Sequence, residues 1–296
     1  MRKLLATLSA CYCLITTYAQ DATIQELKNS TSKEIKSLDS SGWKKGGTFI
    51  INFNQGSLSN WAAGGEQSIV GINGIFNYTL NYKKDKNTWD NFIDLALGFQ
   101  NASSFGKFRK IDDRIDLTSK YGRQMHEKLF AAILANFNSQ ALAGYDYSTD
   151  TKISNWLAPG KVLVSLGLDF RPNKELSIFI SPITNRWILK NDNDFFDEDK
   201  FGVAAQTKTY NEIGAYMTAK YSKQIAPWIA YTGRLDLFSN YKRNPQNIDV
   251  FFTNLVALKF NKWLATTFSM DMIYDEDIIS RIQLKQILGI GLTVKL

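Results

Sequence analysis

The side chains able to do chemistry in this sequence are charged, and they gather in two settings. Asp192, Asp194, Asp197, Glu198 and Asp199 crowd the stretch between Lys190 and Thr209, and Asp275, Glu276 and Asp277 make a smaller acidic turn. Hard cations such as calcium take clustered carboxylates. This spacing follows no calcium-loop template, so a solvated charge run is the favoured reading and a metal role stays open. The second setting is the middle of alternating segments, where Asp90, Asp94, Arg114, Asp116, Lys120, Asp169, Arg171, Glu212, Lys220, Arg234, Asp236, Lys259 and Asp271 stand. Both signs are interspersed there, which suits mutual neutralisation in a confined space, whereas a selective pore concentrates one sign at a constriction. The only histidine, His126, has Arg123 and Lys128 near it and no serine within three residues. A serine–histidine nucleophile therefore has no support, and no carboxylate pair is singled out for glycoside chemistry. No catalytic residue and no cofactor is expected.

Charge and thiols narrow the classes further. Met1-Arg2-Lys3 followed by an apolar run to Ile15 and small residues at Thr17-Tyr18-Ala19 reads as a cleaved secretory signal over residues 1–19. Leu8-Ser9-Ala10-Cys11 is the rival reading, a lipoprotein signal, and either one exports the chain. Cys11 and Cys13 are the only cysteines, so a mature chain starting at Gln20 has no thiol for a disulfide or a zinc site. The formal net charge of +7 falls to +5 without Arg2 and Lys3, a diffuse excess that argues against a nucleic-acid partner. Beyond Ala19 no apolar stretch approaches the ~18 residues of a membrane helix.

Positioning then falls to strands. After a polar periplasmic segment over residues 20–42, read as a tether or a short marginal helix, the pattern changes to period-two alternation across residues 43–296. Twelve strands are predicted: Trp43 to Asn54, Gln67 to Tyr82, Thr88 to Asn101, Lys110 to Tyr121, Lys128 to Gln140, Trp156 to Arg171, Leu176 to Leu189, Tyr210 to Ser222, Trp228 to Asn240, Ile248 to Asn261, Leu264 to Asp275 and Leu284 to Leu296. On each, one face is apolar and the other small, polar or charged; Leu288, Ile290, Leu292 and Val294, for example, oppose Gly289, Gly291 and Thr293. Tight connections alternate with long ones, notably Gln55 to Glu66, Tyr145 to Asn155 and Lys190 to Thr209. That alternation, an even strand number and lengths of about 12 residues predict an all-β fold, a closed antiparallel transmembrane barrel with both termini periplasmic. A soluble β-sandwich is the competing fold, but its strands cluster near 5 or 6 residues. Trp43, Trp89, Tyr121, Trp156, Trp187, Tyr210, Trp228 and Trp263 fall near strand ends, as headgroup-level girdles require.

Several blocks are similar to a known family. They are Ser59-Asn60-Trp61 with Gly64-Gly65, Arg109-Lys110-Ile111-Asp112-Asp113, Ser119-Lys120-Tyr121-Gly122, Ile153 to Pro159, Ser181-Pro182, Leu237 to Tyr241 with Asn244-Pro245, and Tyr274-Asp275-Glu276-Asp277. In this order they resemble an outer-membrane barrel family of Bacteroidota named only as a domain of unknown function. Leu296 departs from it, standing where an aromatic end is expected. The resemblance implies the bacterial outer membrane and a barrel, and it implies no activity. Two functions remain: a structural or accessory envelope component that meets a protein complex through its loops or N-terminal segment, or a small channel or transporter. An outer-membrane enzyme is the remote third.

Overall fold

A strand whose side chains alternate in character has one face for lipid and one for the interior, and its backbone groups must then find partners on neighbouring strands. The computed structural model satisfies this by closure. It describes residues 41–57, 68–104, 106–261, 263–276 and 279–295. The signal, the tether as far as residue 40, the Asn60-Trp61 block and Leu296 lie outside the described residues.

Twelve strands form one closed antiparallel barrel: β1 (Gly42–Ser57), β2 (Ser68–Lys84), β3 (Asn87–Ala102), β4 (Arg109–His126), β5 (Leu129–Ser139), β8 (Gly160–Phe170), β9 (Leu176–Leu189), β10 (Thr209–Ala226), β11 (Ile229–Asn240), β12 (Ile248–Lys259), β13 (Leu264–Asp275) and β14 (Ile279–Lys295). The hairpin β6 (Gly144–Asp146) and β7 (Thr151–Ser154) stands apart, in the connection between β5 and β8. Each wall strand pairs with its neighbours in sequence order, and β1 pairs with β14 to close the ring.

Several boundaries differ from the sequence reading, each for a local reason. Trp156 does not begin a strand. Asn155 and Ala158 exchange backbone hydrogen bonds of 2.8 and 2.9 Å around Leu157, whose φ of 54° is left-handed, so β8 starts at Gly160. The last strand begins at Ile279, five residues before Leu284, because β13 and β14 run on almost to the acidic turn. The tight connections shrink in the same way, to Asp85-Lys86 between β2 and β3 and Pro227-Trp228 between β10 and β11.

The barrel wall is irregular in one respect that matters for what faces inward. Pro182 has no N–H to give a ladder, and β9 bulges there. Opposite β10, Gly214 pairs with Thr184 and Tyr216 with Ser181; opposite β8, Leu166 pairs with Ile183 and Leu168 with Ile180. Phe179 and Ser181 are buried on one side of the bulge, and Thr184, Arg186 and Ile188 on the other. The inward face has thus moved from odd to even positions. The Ser181 hydroxyl lies 2.7 Å from the Leu166 carbonyl and 2.8 Å from that of Ile183, so it serves the peptide groups the bulge displaces.

The interior is less polar than the alternation suggests. Phe130, Leu134, Leu163, Phe179 and Phe238 are buried on the inward faces of β5, β8, β9 and β11, and Ile50, Ile75 and Ala96 form a second cluster on β1, β2 and β3. Outward rows remain apolar: Leu288, Ile290, Leu292 and Val294 on β14 are exposed, as are Leu166, Leu168 and Phe170 on β8.

The closing seam is short. β1 and β14 pair from Thr48↔Lys295 to Phe53↔Ile290, whereas β1 and β2 pair along the whole of Gly42–Ser57. Inside the seam Asn52 lies over two glycines. A Cβ on Gly289 would come 2.8 Å from the Asn52 Cβ, and one on Gly291 would come 2.6 Å from the Ile51 carbonyl oxygen, which the ladder cannot move. Gly291→Val is therefore expected to weaken closure by about 1–3 kcal/mol, the range of an overpacked site. Gel-shift electrophoresis of the heated protein checks this, and the folded band should convert at a lower temperature than in the parent.

Candidate functional site

The lumen is where the charged side chains meet, and they are grouped in layers. Nearest the tight turns, Arg171 follows β8 and reaches Asp169 through Nε at 2.6 Å and Asp90 on β3 through Nη2 at 2.7 Å. Lys120 on β4 reaches the same Asp169 at 3.0 Å, and Ser177 on β9 donates to it at 2.8 Å. The guanidinium lies 4.6 Å from the centre of the Phe130 ring. The Asp169 side chain has no exposed surface, so its ionised form depends on these partners.

A middle layer joins opposite walls. Arg114 on β4 pairs with Asp94 on β3 at 3.0 Å and with Asp271 on β13 at 3.4 Å. Lys285 on β14 bridges Asp271 at 3.0 Å and Asp112 at 2.8 Å, and Asn73 donates to Asp112 at 3.1 Å. Beside them Asp116 accepts from Asn136 at 2.7 Å and pairs with Arg234 on β11 at 3.5 Å. Arg234 holds Asp236 at 2.7 Å, and the Tyr216 hydroxyl donates to Asp236 at 2.5 Å. Lys220 on β10 places its ammonium 4.3 Å from the centre of the Phe92 ring on β3.

Towards the long loops a third layer appears. Arg186 on β9 pairs with Glu212 on β10 and, at 2.7 Å, with Asp249 on β12, over the face of Phe238. Asn240 donates to Glu212 at 3.1 Å. Lys161 on β8 reaches Asp275 on β13 at 2.8 Å.

In the ring order, β4 and β13, β4 and β11, β8 and β13, and β3 and β10 are each five places apart, close to the six of a full diameter. Contacts between such strands cross the lumen. The structure thus places Asp94, Arg114, Asp116, Lys120, Asp169, Arg171, Glu212, Lys220, Arg234, Asp236 and Asp271 inside the barrel, in layered networks. It adds Asp112, Lys161, Arg186, Asp249, Asp275 and Lys285, which sequence reasoning did not select. Arg186 follows the bulge at Pro182, so simple alternation carried along β9 loses it, whereas Asp112 shares the even face of Arg114 and Asp116 and could have been read from it. Asp275 reads as part of an acidic turn. Lys285 was legible, since it alternates with Leu284 and Gln286 on β14.

The aromatic residues stand outside. Trp43, Tyr82, Trp89 and Tyr121 are consecutive register partners across β1, β2, β3 and β4, with Trp43 and Trp89 rings 5.9 Å apart. Trp89 donates to Ser119 at 2.9 Å, and the Tyr121 hydroxyl donates to Asn87 at 3.1 Å. Trp228 and Trp263 are exposed at the same end, while Trp156 and Trp187, exposed, and Tyr210, half-buried, lie at the long-loop end. His126 is exposed at the end of β4.

The acidic loop is folded upon itself. Lys190 is fully buried, and its ammonium donates to the carbonyls of Glu198 at 2.5 Å and Ala204 at 3.0 Å. Asp192 caps the short 3-10 turn Asn193–Phe195 by accepting from the Asp194 N–H, and it also accepts from Asn155 at 2.7 Å and pairs with Lys152 at 2.8 Å. Asp199 accepts from the Ala205 N–H at 2.7 Å. Among the described residues no three metal-ligating side chains converge. Partial burial pushes the Asp192 carboxyl upward, but the Lys152, Asn155 and backbone hydrogen bonds outweigh it and hold the group below the usual carboxylate range. Hydrogen bonds to Asp192 and Asp194 push Lys152 up to about 12.

Comparison with known proteins adds the following. A family model described as a protein of unknown function, DUF3078, matches residues 53–145. No curated protein matches the chain. Among solved structures, an outer-membrane channel from Pseudomonas putida F1 is similar at 11% identity and a TM-score of 0.39, covering 86% of this chain and 95% of its own. The translocator domain of the autotransporter NalP from Neisseria meningitidis is similar at 8% identity and a TM-score of 0.37, covering 95% and 99%. The NanC porin is similar at 7% identity and a TM-score of 0.39, covering 83% and 97%.

Two outcomes follow from this geometry. Arg171→Met leaves Asp90 and Asp169 without their guanidinium and should cost about 3–5 kcal/mol in urea unfolding followed by tryptophan fluorescence, with Arg171→Met/Asp90→Asn recovering part of the loss. The long loop should respond to acid. Because Asp192 titrates lower when folded than when unfolded, its contribution is complete above the unfolded value and is lost as pH falls through the depressed one. Lys152 contributes fully below its unfolded value and loses its effect only near 12. Amide-exchange protection factors of residues 190–208 should therefore be high at neutral pH and fall under acid, and Asp192→Asn should lower them at both.

Proposed function

We propose that this protein is a bacterial outer-membrane barrel whose own side chains close the lumen, and that it serves the envelope as a structural or accessory component. The observation that carries this reading is the set of ion pairs reaching across the barrel, Arg114 to Asp271, Arg234 to Asp116 and Lys161 to Asp275. An open diffusion pore would keep such groups on its walls in water, where an exposed pair gains little. Here cations and anions from strands five places apart in the ring meet instead, and buried apolar side chains lie on the inward wall beside them. Lipid solvates the outward face, between the girdle at Trp43, Trp89 and Tyr121 and the one at Trp156 and Trp187.

The ordered outer end supports a role in contact with an envelope complex. The folded loop around Lys190, the hairpin β6–β7 and the exposed Trp156 and Tyr241 present a fixed surface, and aromatic residues are frequent anchors of interfaces. Nucleic acid has no place in this reading.

Planar-bilayer recording separates the accessory role from a channel. The parent should give no discrete conductance steps, and Arg114→Ala/Lys161→Ala/Arg234→Ala, which removes the crossing cations, should give them. Regular steps from the parent would sink the closed-lumen reading. Chemical cross-linking in intact cells followed by mild-detergent purification tests the accessory role, which fails if only the bait is recovered.

A further inference from the structure

Between the layer around Arg171 and the one around Arg234 lies a recess of about 440 Å³, measured with its open mouth. Its walls come from both sides of the barrel, β3, β4 and β5 facing β9, β10 and β11. The charged residues that line it are Lys120, Lys220 and Arg234, and all are basic. The carboxylates serving two of them come from elsewhere: Asp169 meets Lys120, while Asp116 and Asp236 meet Arg234 at Nη1 and Nε, and none of the three lines the recess. A guanidinium has five N–H donors and an ammonium three, so each can serve a carboxylate and a further acceptor together. Thr218 adds a hydroxyl that donates as readily as it accepts, whereas the hydroxyls of Ser177 and Thr118 already donate to Asp169 and Asp116. Phe92 and Leu134 supply the apolar part of the lining and keep the local dielectric low, where an ion is felt more strongly than in water.

From this lining we propose that the recess binds a small oxyanion, an inorganic phosphate or a short organic carboxylate, inside the barrel. A cation would face three positive groups. Lys220 is the central residue. It lies on the far wall from Lys120, and its contact with Phe92 holds the ammonium at the recess by the ring face. Thr218 is two positions along the same inward face of β10 and sets the other side of the anion's hydrogen-bonding shell.

The site stands independently of the closed-lumen reading, since a recess within a plugged barrel and one along a pore would bind the same ligand. Isothermal titration of the purified protein in detergent, at constant ionic strength, tests it with inorganic phosphate in one arm and succinate in the other. Saturable binding of either probe is expected. Binding of phosphate alone identifies an inorganic ligand, and binding of succinate alone an organic acid. Lys220→Met should weaken the binding at least tenfold and Thr218→Val severalfold, while Lys208→Met, on the exposed loop, should leave it unchanged. The conservative Lys220→Arg should retain most of it. Absence of saturable heat with both probes would overturn the proposal, and so would parental affinity in Lys220→Met and Thr218→Val together. Thr218→Val removes a hydroxyl without disturbing an ion pair, so it keeps the question answerable should Lys220→Met fail to fold. Conductance recordings report on the lumen separately, so current through the parent would overturn closure and leave the anion site standing.

Discussion

A peptide group in hydrocarbon has no water to bond, and each one left without a partner costs several kcal/mol. Continuous pairing from β1 round to β14 answers that demand, and everything else in this molecule follows from it. Once twelve strands are wrapped into a ring, their inward side chains are forced together in a space of fixed diameter. Whatever occupies inward positions must then be packed or paired, because the wall cannot withdraw.

This confinement explains why the charges are arranged as they are. A carboxylate such as Asp169, shut away from solvent, is tolerable only with cations and donors at close range, and it has Lys120, Arg171 and Ser177. Such groups are weak sources of net stability, since desolvation offsets most of the attraction. Their larger effect is on specificity. A pair such as Lys161 and Asp275 joins strands far apart in the ring, so it forms only when the whole cylinder has the right register. Ion pairs of this kind discriminate against slipped barrels that a purely apolar interior would accept.

Much of this was legible from the chain alone, for a simple reason: lipid on one side imposes a period of two that is hard to hide. The outward rows on β8, β10 and β14 could be read directly, and so could inward residues such as Asp94, Arg114 and Asp236. What escaped reading was whatever broke the period. Pro182 lies in a bulge of β9, and the positions beyond it, Arg186 among them, change face. Trp156 belongs to a turn whose geometry depends on a left-handed Leu157, which no alternation encodes. Inward apolar residues such as Phe179 and Leu163 also resisted, because hydrophobicity alone does not say which side of a membrane wall a residue occupies. The partner of each charge was beyond sequence altogether, since ring closure brings together residues more than a hundred positions apart, as with Lys161 and Asp275.

The bulge at Pro182 has a consequence for how such a wall can change over generations. Loss of one residue from a regular strand exchanges its two faces from that point on, and on β9 this would turn Arg186 outward and leave Glu212 and Asp249 without their guanidinium. A bulge is a place where the count is already uneven, so a single insertion or deletion there can be absorbed by creating or erasing the irregularity. Length variation among homologous barrel walls should accordingly concentrate at bulges of this sort and at loops, and be nearly forbidden in the stretches between.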